Sequence, residues 1–238
     1  MIRPMLVLFD VDGTLLLSSG AGLQSMAEAG KRLIGPDFSI AEVEFAGRLD
    51  PLIWADAAAR NGVADPDAMH APFREMYGQI LADRFARANT VQALPGVPEL
   101  LDRLAGIQGV TLGLVTGNYP ETGTMKLVAA GIEPQLFDVA AWGTDGRIRR
   151  DLPAAALRQY RTRLGRPIEP GRVIVVGDTP HDIDCAHACG CRAVAVATGP
   201  AFARAELAAH HPDLLLDDLS ATDDVVAWMM AAMDSIAQ

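Results

Sequence analysis

The apolar run Met5-Leu6-Val7-Leu8-Phe9 leads straight into Asp10-Val11-Asp12-Gly13-Thr14, and this stretch restricts the fold more than any other. Five consecutive apolar residues bounded by turn formers predict a strand buried on both faces, as in a parallel sheet. Alternate side chains share a side in extended backbone, so Asp10 and Asp12 point the same way. Open α/β sheets gather their ligands at the carboxyl ends of strands. Two carboxylates converging there repel each other unless a proton or a cation sits between them. Taken alone, the segment also reads as an Asp-x-Asp-Gly turn closing a strand.

The rest of the chain supplies a partner sheet. From Leu94-Pro95-Gly96-Val97 onward, short apolar strands alternate with helices of about 10–15 residues, the pattern of βαβ units. Strands are predicted at Val110–Val115, Phe137–Ala141, Arg172–Val176, Ala193–Ala197 and Leu214–Leu216, with a closing helix at Val225–Ile236. The fold class expected is α/β, a doubly wound parallel sheet of Rossmann-like type. Between the first and second strands the pattern turns helical, in Leu23–Ile34, Asp50–Asn61 and Pro66–Ala88. That length far exceeds an ordinary crossover. An inserted helical domain is expected, over 17–92, with the core formed by 1–16 and 93–238. Ser39 and Asp50 read as helix N-caps, the latter followed by Pro51. The Leu15-to-Gly22 segment reads as a loop, with Gly20 to Gly22 as a hinge.

Charge narrows the partners. The net charge is −10, and of 20 basic residues only Lys31 and Lys126 are lysines. An acidic surface repels nucleic acid and anionic membranes, so anion binding must be local. Cys185, Cys189 and Cys191 form no disulfide framework and suit a reducing compartment. With His181 and His187 nearby a zinc site is conceivable, but small apolar core residues are the better reading. No run approaches the ~20 residues of a membrane span, and no signal segment precedes the first strand, so a cytoplasmic protein is expected.

Two further strand ends carry chemistry. Val115 is followed by Thr116-Gly117-Asn118, a hydroxyl, a bared backbone N–H and an amide that could cradle an oxyanion. The strand Val173–Val176 ends in Gly177-Asp178-Thr179-Pro180-His181-Asp182, with Asp182 on the first turn of a helix. Asp10, Asp12, Asp178 and Asp182 would make an all-oxygen cluster suited to a hard divalent cation such as Mg²⁺. A carboxylate nucleophile beside a metal and facing an oxyanion cradle is the layout of phosphoryl transfer.

Phe9-Asp10-Val11-Asp12-Gly13-Thr14, Val115-Thr116-Gly117-Asn118 and Gly177-Asp178-Thr179-Pro180-His181-Asp182 together resemble motifs one, two and four of the haloacid dehalogenase-like hydrolase superfamily. The helical insert resembles the cap lying between its first two motifs, and the whole is similar to phosphoglycolate phosphatase-like enzymes. The resemblance implies a Mg²⁺-dependent phosphatase acting on a small phosphorylated metabolite through an aspartyl-phosphate. Asp10 would be the nucleophile and Asp12 the general acid and base. Asp10, the backbone carbonyl of Asp12 and Asp178 would hold the metal, with Asp182 a ligand or an anchor behind it. Thr116, Gly117 and Asn118 would take the phosphoryl group.

The family's third motif, a lysine or arginine, departs from the usual arrangement, since Arg149-Arg150-Asp151-Leu152-Pro153 holds no lysine; Lys126 and Arg149 are the two candidates. Phe45-Ala46-Gly47-Arg48-Leu49-Asp50 looks like a cap segment near the substrate, where Arg48 would read a carboxylate or serve the cap's own structure. The alternatives are a phosphomutase of the β-phosphoglucomutase type, a 2-haloacid dehalogenase that needs neither metal nor Asp12, and an idle binding module. Monomer and homodimer are both open.

Overall fold

The computed structural model of the protein describes residues 4–234. Its centre is the strand β1 (Met5–Phe9), whose five residues are all buried. β4 (Val110–Val115) and β6 (Val173–Gly177) pair with it in parallel on either side. β5 (Val139–Ala141), β7 (Arg192–Val196) and β8 (Leu214–Leu216) extend the sheet to six parallel strands in the order β5-β4-β1-β6-β7-β8. The chain winds outward from β1 through β4 and from β6 through β7. The crevice between β1 and β6 is therefore the switch point at which such sheets bind ligands.

Alternation along β1 builds both halves of the core. Met5, Val7 and Phe9 face α4 (Val97–Ala105), α5 (Pro120–Ala129) and α9 (Thr222–Asp234), through Leu100, Leu104, Leu127 and Met229. Leu6 and Leu8 face α6 (Leu152–Leu164) and α7 (Pro180–Ala188), through Ala156, Tyr160, Ile183 and Cys185. A continuous apolar run is the pattern a doubly covered strand requires. Cys185 and Cys191 lie within this core as small apolar groups. Burial lifts the Cys185 thiol to about 12.

The helical block appears where it is expected, as α1 (Ala21–Leu33), α2 (Asp50–Arg60) and α3 (Pro66–Arg87). It has a core of its own, in which Phe38, Trp54, Phe73, Tyr77 and Leu81 pack together. Trp54 and Phe73 stack with ring centroids 4.2 Å apart. Tyr119, from the turn after β4, is fully buried in that same cluster. Arg74 of α3 grips Glu121 of α5 in a two-pronged ion pair at 2.5 and 2.7 Å. Among the described residues no helix is long and apolar enough to cross a membrane.

Three expectations need correction. Leu15 to Gly22 is not all loop: Leu16–Leu17 (β2) pairs antiparallel with Gln92–Ala93 (β3), closing the two chain crossings to the helical block. Strands of two residues carry no periodic signal. Neither expected N-cap is one: Leu49 holds that position before α2, and Asp50 is the first helical residue. The Ser39 hydroxyl accepts from the Ala41 N–H at 3.2 Å in a local turn with no helix directly after it, and its backbone bonds to the Asn61 side chain. The helix expected at Val225–Ile236 begins three residues earlier, at Thr222, and its last two residues lie outside the described ones.

Candidate active site

Three neighbouring strands deliver their polar ends to one place. Asp10 follows β1 and donates its N–H to the Val176 carbonyl of β6 at 2.9 Å, so the backbone fixes its position beside Asp178. Gly13 turns the chain at φ 82°, a conformation in which glycine avoids the Cβ clash. Its missing side chain also makes room: a Cβ at Gly13 or at Gly199 would strike the Asp178 carboxylate. Thr14 donates to Asp178 Oδ1 at 3.0 Å.

Asp10, Asp178 and Asp182 each offer a carboxylate oxygen within 4.8 Å of the others, all buried. Among the described residues this is the one such group. Asp182 is held hardest: its Oδ2 accepts from the Thr179 N–H at 3.1 Å and the Thr179 hydroxyl at 2.7 Å, and its Oδ1 pairs with Arg149. Burial, only partly offset by Arg149, raises the Asp10 carboxyl to about 6. Burial and then repulsion from Asp10 and Asp182 push Asp178 well above the usual carboxylate range. Carboxylates raised in this way have an unanswered need for positive charge, and an all-oxygen set with a fixed cradle fits Mg²⁺.

The two candidate cations are both here, one on each carboxylate of the first motif. Arg149, buried, reaches Asp10 Oδ1 at 3.1 Å while it pairs with Asp182. Its Nε is buried without a partner. Lys126, on α5, lies 2.6 Å from Asp12 Oδ2. Burial alone would raise Asp12, but Lys126 and the bonds from Asn118 and Ser18 outweigh it and hold its carboxyl below the ordinary value.

Asn118 ties the second motif to the first. Its Nδ2 donates to Asp12 Oδ2 at 2.9 Å and to the Thr116 hydroxyl at 2.8 Å, and its Oδ1 accepts from Lys126 at 2.6 Å. Gly117 permits close approach of the helical block, since a Cβ there would strike the Arg48 carbonyl. The Asp50 N–H donates to the Gly117 carbonyl at 2.7 Å, and the Tyr119 N–H returns a bond to Asp50 Oδ2 at 3.0 Å. Asp50 is thus a buried acid clamped to the second-motif loop. Burial raises its carboxyl to about 7, against the pull of Lys126 and the Tyr119 N–H.

Asp10, Asp12, Asp50, Asp178, Lys126, Arg149 and the Thr116-Gly117-Asn118 loop line one cavity of about 440 Å³, with Asp182 behind its wall. Arg48 lines its helical side, with Nη1 paired to Asp56 at 2.6 Å. Sequence reasoning missed Asp50 as a site residue, and also Thr14 and Ser18. Asp50 does carry a signal, an acid beside Arg48 in the quoted cap segment, but a capping role explained it as well. Cys185, Cys189 and Cys191 do not assemble with histidines into a metal-binding group among the described residues.

Residues 7–196 match the family model described as haloacid dehalogenase-like hydrolase. A phosphoglycolate phosphatase of Rhodospirillum rubrum is 29% identical, over 98% of this chain and 95% of its own length. The tyrosine-protein kinase PtkA of Mycobacterium tuberculosis is 32% identical over 82% of this chain, which spans 63% of that protein. The crystal structure of CbbY from Rhodobacter sphaeroides in complex with phosphate shares the fold, with a TM-score of 0.66 at 20% identity over 92% of this chain and 96% of that one.

Proposed function

This chain belongs to the haloacid dehalogenase-like hydrolase family as an enzyme of the phosphatase kind, and we propose that it hydrolyses the phosphomonoester of a small metabolite through an aspartyl-phosphate on Asp10. The observation that carries this reading is the meeting of Asp10 with a buried carboxylate group, Thr116-Gly117-Asn118 and two cations at the ends of adjacent strands.

Asp10 attacks phosphorus, with Arg149 restraining its charge. Thr116, Gly117 and Asn118 receive the phosphoryl oxygens. Asp12 gives a proton to the leaving oxygen and takes one from the water that attacks the aspartyl-phosphate, so the cycle returns it unchanged. Its lowered carboxyl suits the second role; a phosphate dianion arriving beside it raises the carboxyl again and restores the first. Asp10, Asp178 and the Asp12 carbonyl would hold Mg²⁺, which supplies charge neutralisation and alignment, and Asp182 would steady the set from behind. The helical unit, 17–92, serves as a cap that excludes water, with the left-handed Gly20 before α1 at its pivot. Arg48 is the cap's candidate substrate contact. Free thiols at all three cysteines agree with a cytoplasmic setting.

The test is inorganic phosphate release from a panel of phosphomonoesters, with and without Mg²⁺, in wild type, Asp10→Asn and Asp12→Ala. Metal-dependent release lost in Asp10→Asn is expected; unchanged turnover in that variant would overturn the mechanism. Return of the phosphoryl group to a sugar instead of water would identify a phosphomutase.

A further inference from the structure

The cavity is built for a particular leaving group. Its three basic residues are all answered by carboxylates: Lys126 by Asp12, Arg149 by Asp10 and Asp182, Arg48 by Asp56. Leu17, Leu23, Met26, Phe45 and Ile53 give its cap side a largely apolar lining, in which Ser18, Ser19, Arg48, Asp50 and Tyr77 are the polar side chains. Leu17 and Phe45 are among the large apolar side chains left exposed, at 36% and 48%. Exposed apolar groups gathered at a cavity mouth mark a ligand contact. At about 440 Å³ the cavity holds, beyond a phosphoryl group, a leaving group on the order of ten non-hydrogen atoms.

Into this largely apolar wall projects one acid. Asp50 is 93% buried and lines the cavity; its Oδ2 is spent on the Tyr119 N–H, while its Oδ1 has no protein partner. A buried acceptor oxygen with no protein hydrogen-bond partner rewards a hydrogen-bond donor and penalises a second carboxylate, even with the Lys126 ammonium acting on the same acid. We propose that Asp50 selects the substrate: a phosphomonoester whose leaving alcohol is largely apolar, carries a hydroxyl or ammonium donor for Asp50 Oδ1, and bears no carboxylate. This rests on the phosphatase reading and sharpens it, turning away from small carboxylated esters such as phosphoglycolate.

Two matched pairs test it, differing only in hydroxymethyl against carboxylate: 2-hydroxyethyl phosphate with phosphoglycolate, and 4-(hydroxymethyl)benzyl phosphate with 4-carboxybenzyl phosphate. Phosphate release is followed with Mg²⁺ at a pH of about 8.5, where Asp50 is ionised. In wild type kcat/KM favours the hydroxylated member of each pair by about tenfold or more, and the benzyl pair exceeds the two-carbon pair. Asp50→Asn keeps an acceptor for the Tyr119 N–H and turns an amide donor toward the cavity, so the hydroxyl-to-carboxylate ratio falls about tenfold. Preference for the carboxylates in wild type would overturn the proposal while leaving the phosphatase reading intact, and loss of that preference in Arg48→Ala would assign the recognition to Arg48. An unchanged ratio in Asp50→Asn would overturn Asp50's part. Phosphate release from none of the four esters, with metal-dependent release from the wider panel retained, would overturn the proposal and leave the phosphatase reading intact; no release from that panel either would overturn both.

Discussion

The ammonium of Lys126 lies 2.6 Å from Oδ2 of Asp12, on a side chain that is almost fully buried while its partner is 40% exposed. Arg149 meanwhile stands on Asp10 at 3.1 Å. Lys126 and Arg149 were alternatives for one cationic role; in the fold each serves a different carboxylate. In the proposed mechanism this gives them separate tasks: Arg149 balances the charge of the nucleophile Asp10, and Lys126 sets the proton affinity of the acid-base group Asp12.

Lys126→Met should therefore change the pH profile as well as the rate. With its cation gone, the strongest influence holding the Asp12 carboxyl down is lost, and the carboxyl rises. The basic form is then lost at higher pH, so the acid limb of kcat/KM moves up by roughly one unit, and kcat at neutral pH falls about 10²-fold. A steady-state profile from pH 5 to 9 with an unmoved limb would separate Lys126 from Asp12's titration.

Arg149→Met removes the counter-charge of Asp10 and Asp182 together, leaving two buried carboxylates. A buried pair broken on one side costs about 3–5 kcal/mol. For a chain of this size the melting temperature should fall by roughly 10 °C. Arg149→Lys, which cannot span both acids in the same way, should fall between. Thermal melts at pH 7 check this; a melting point within about 2 °C of wild type would deny the pair its structural role.

Mg²⁺ should raise the melting temperature of wild type and leave Asp178→Asn unmoved. At a concentration a hundredfold above the dissociation constant, the gain is about 2.7 kcal/mol, or roughly 5–10 °C. The cation needs ionised carboxylates. Asp10 is raised to about 6 and Asp178 stands well above the usual range, so protons compete with metal as pH falls, and the shift shrinks through about pH 6. Melts with and without Mg²⁺ at several pH values check it; an undiminished shift in Asp178→Asn would move the metal elsewhere.

The sheet and the three strand-end motifs are legible in the sequence because a doubly buried strand must be apolar along its length, so its first polar residue marks its end. Met5–Phe9 with Asp10 and Val173–Gly177 with Asp178 show this directly. The helical block is legible by its period. What local pattern cannot express is contact across the chain. Asp50 before a helical run has the sequence of a cap, and only the Tyr119 N–H, from a turn 69 residues on, makes it a site residue. Lys126 and Arg149 are likewise indistinguishable until α5 and the turn before α6 converge on β1.

Asp50 should also lower stability as pH rises, a dependence that follows from its buried position. Its carboxyl is raised by burial to about 7 in the fold, from 3.8. Between these values the folded state binds the proton that the unfolded state has released. Stability therefore falls as pH rises through that window, by up to about 4 kcal/mol in all. Asp50→Asn keeps the bond from the Tyr119 N–H and carries no charge to bury. It should match wild type near pH 4, gain on it steadily, and stand above it by roughly 2–4 kcal/mol at pH 8. Urea unfolding of both proteins across pH 4–8 measures the difference. A constant offset would mean that the carboxylate is solvated in the fold. A widening gap would show an acid retained at a stability cost, as expected of a group kept for recognition and not for the fold.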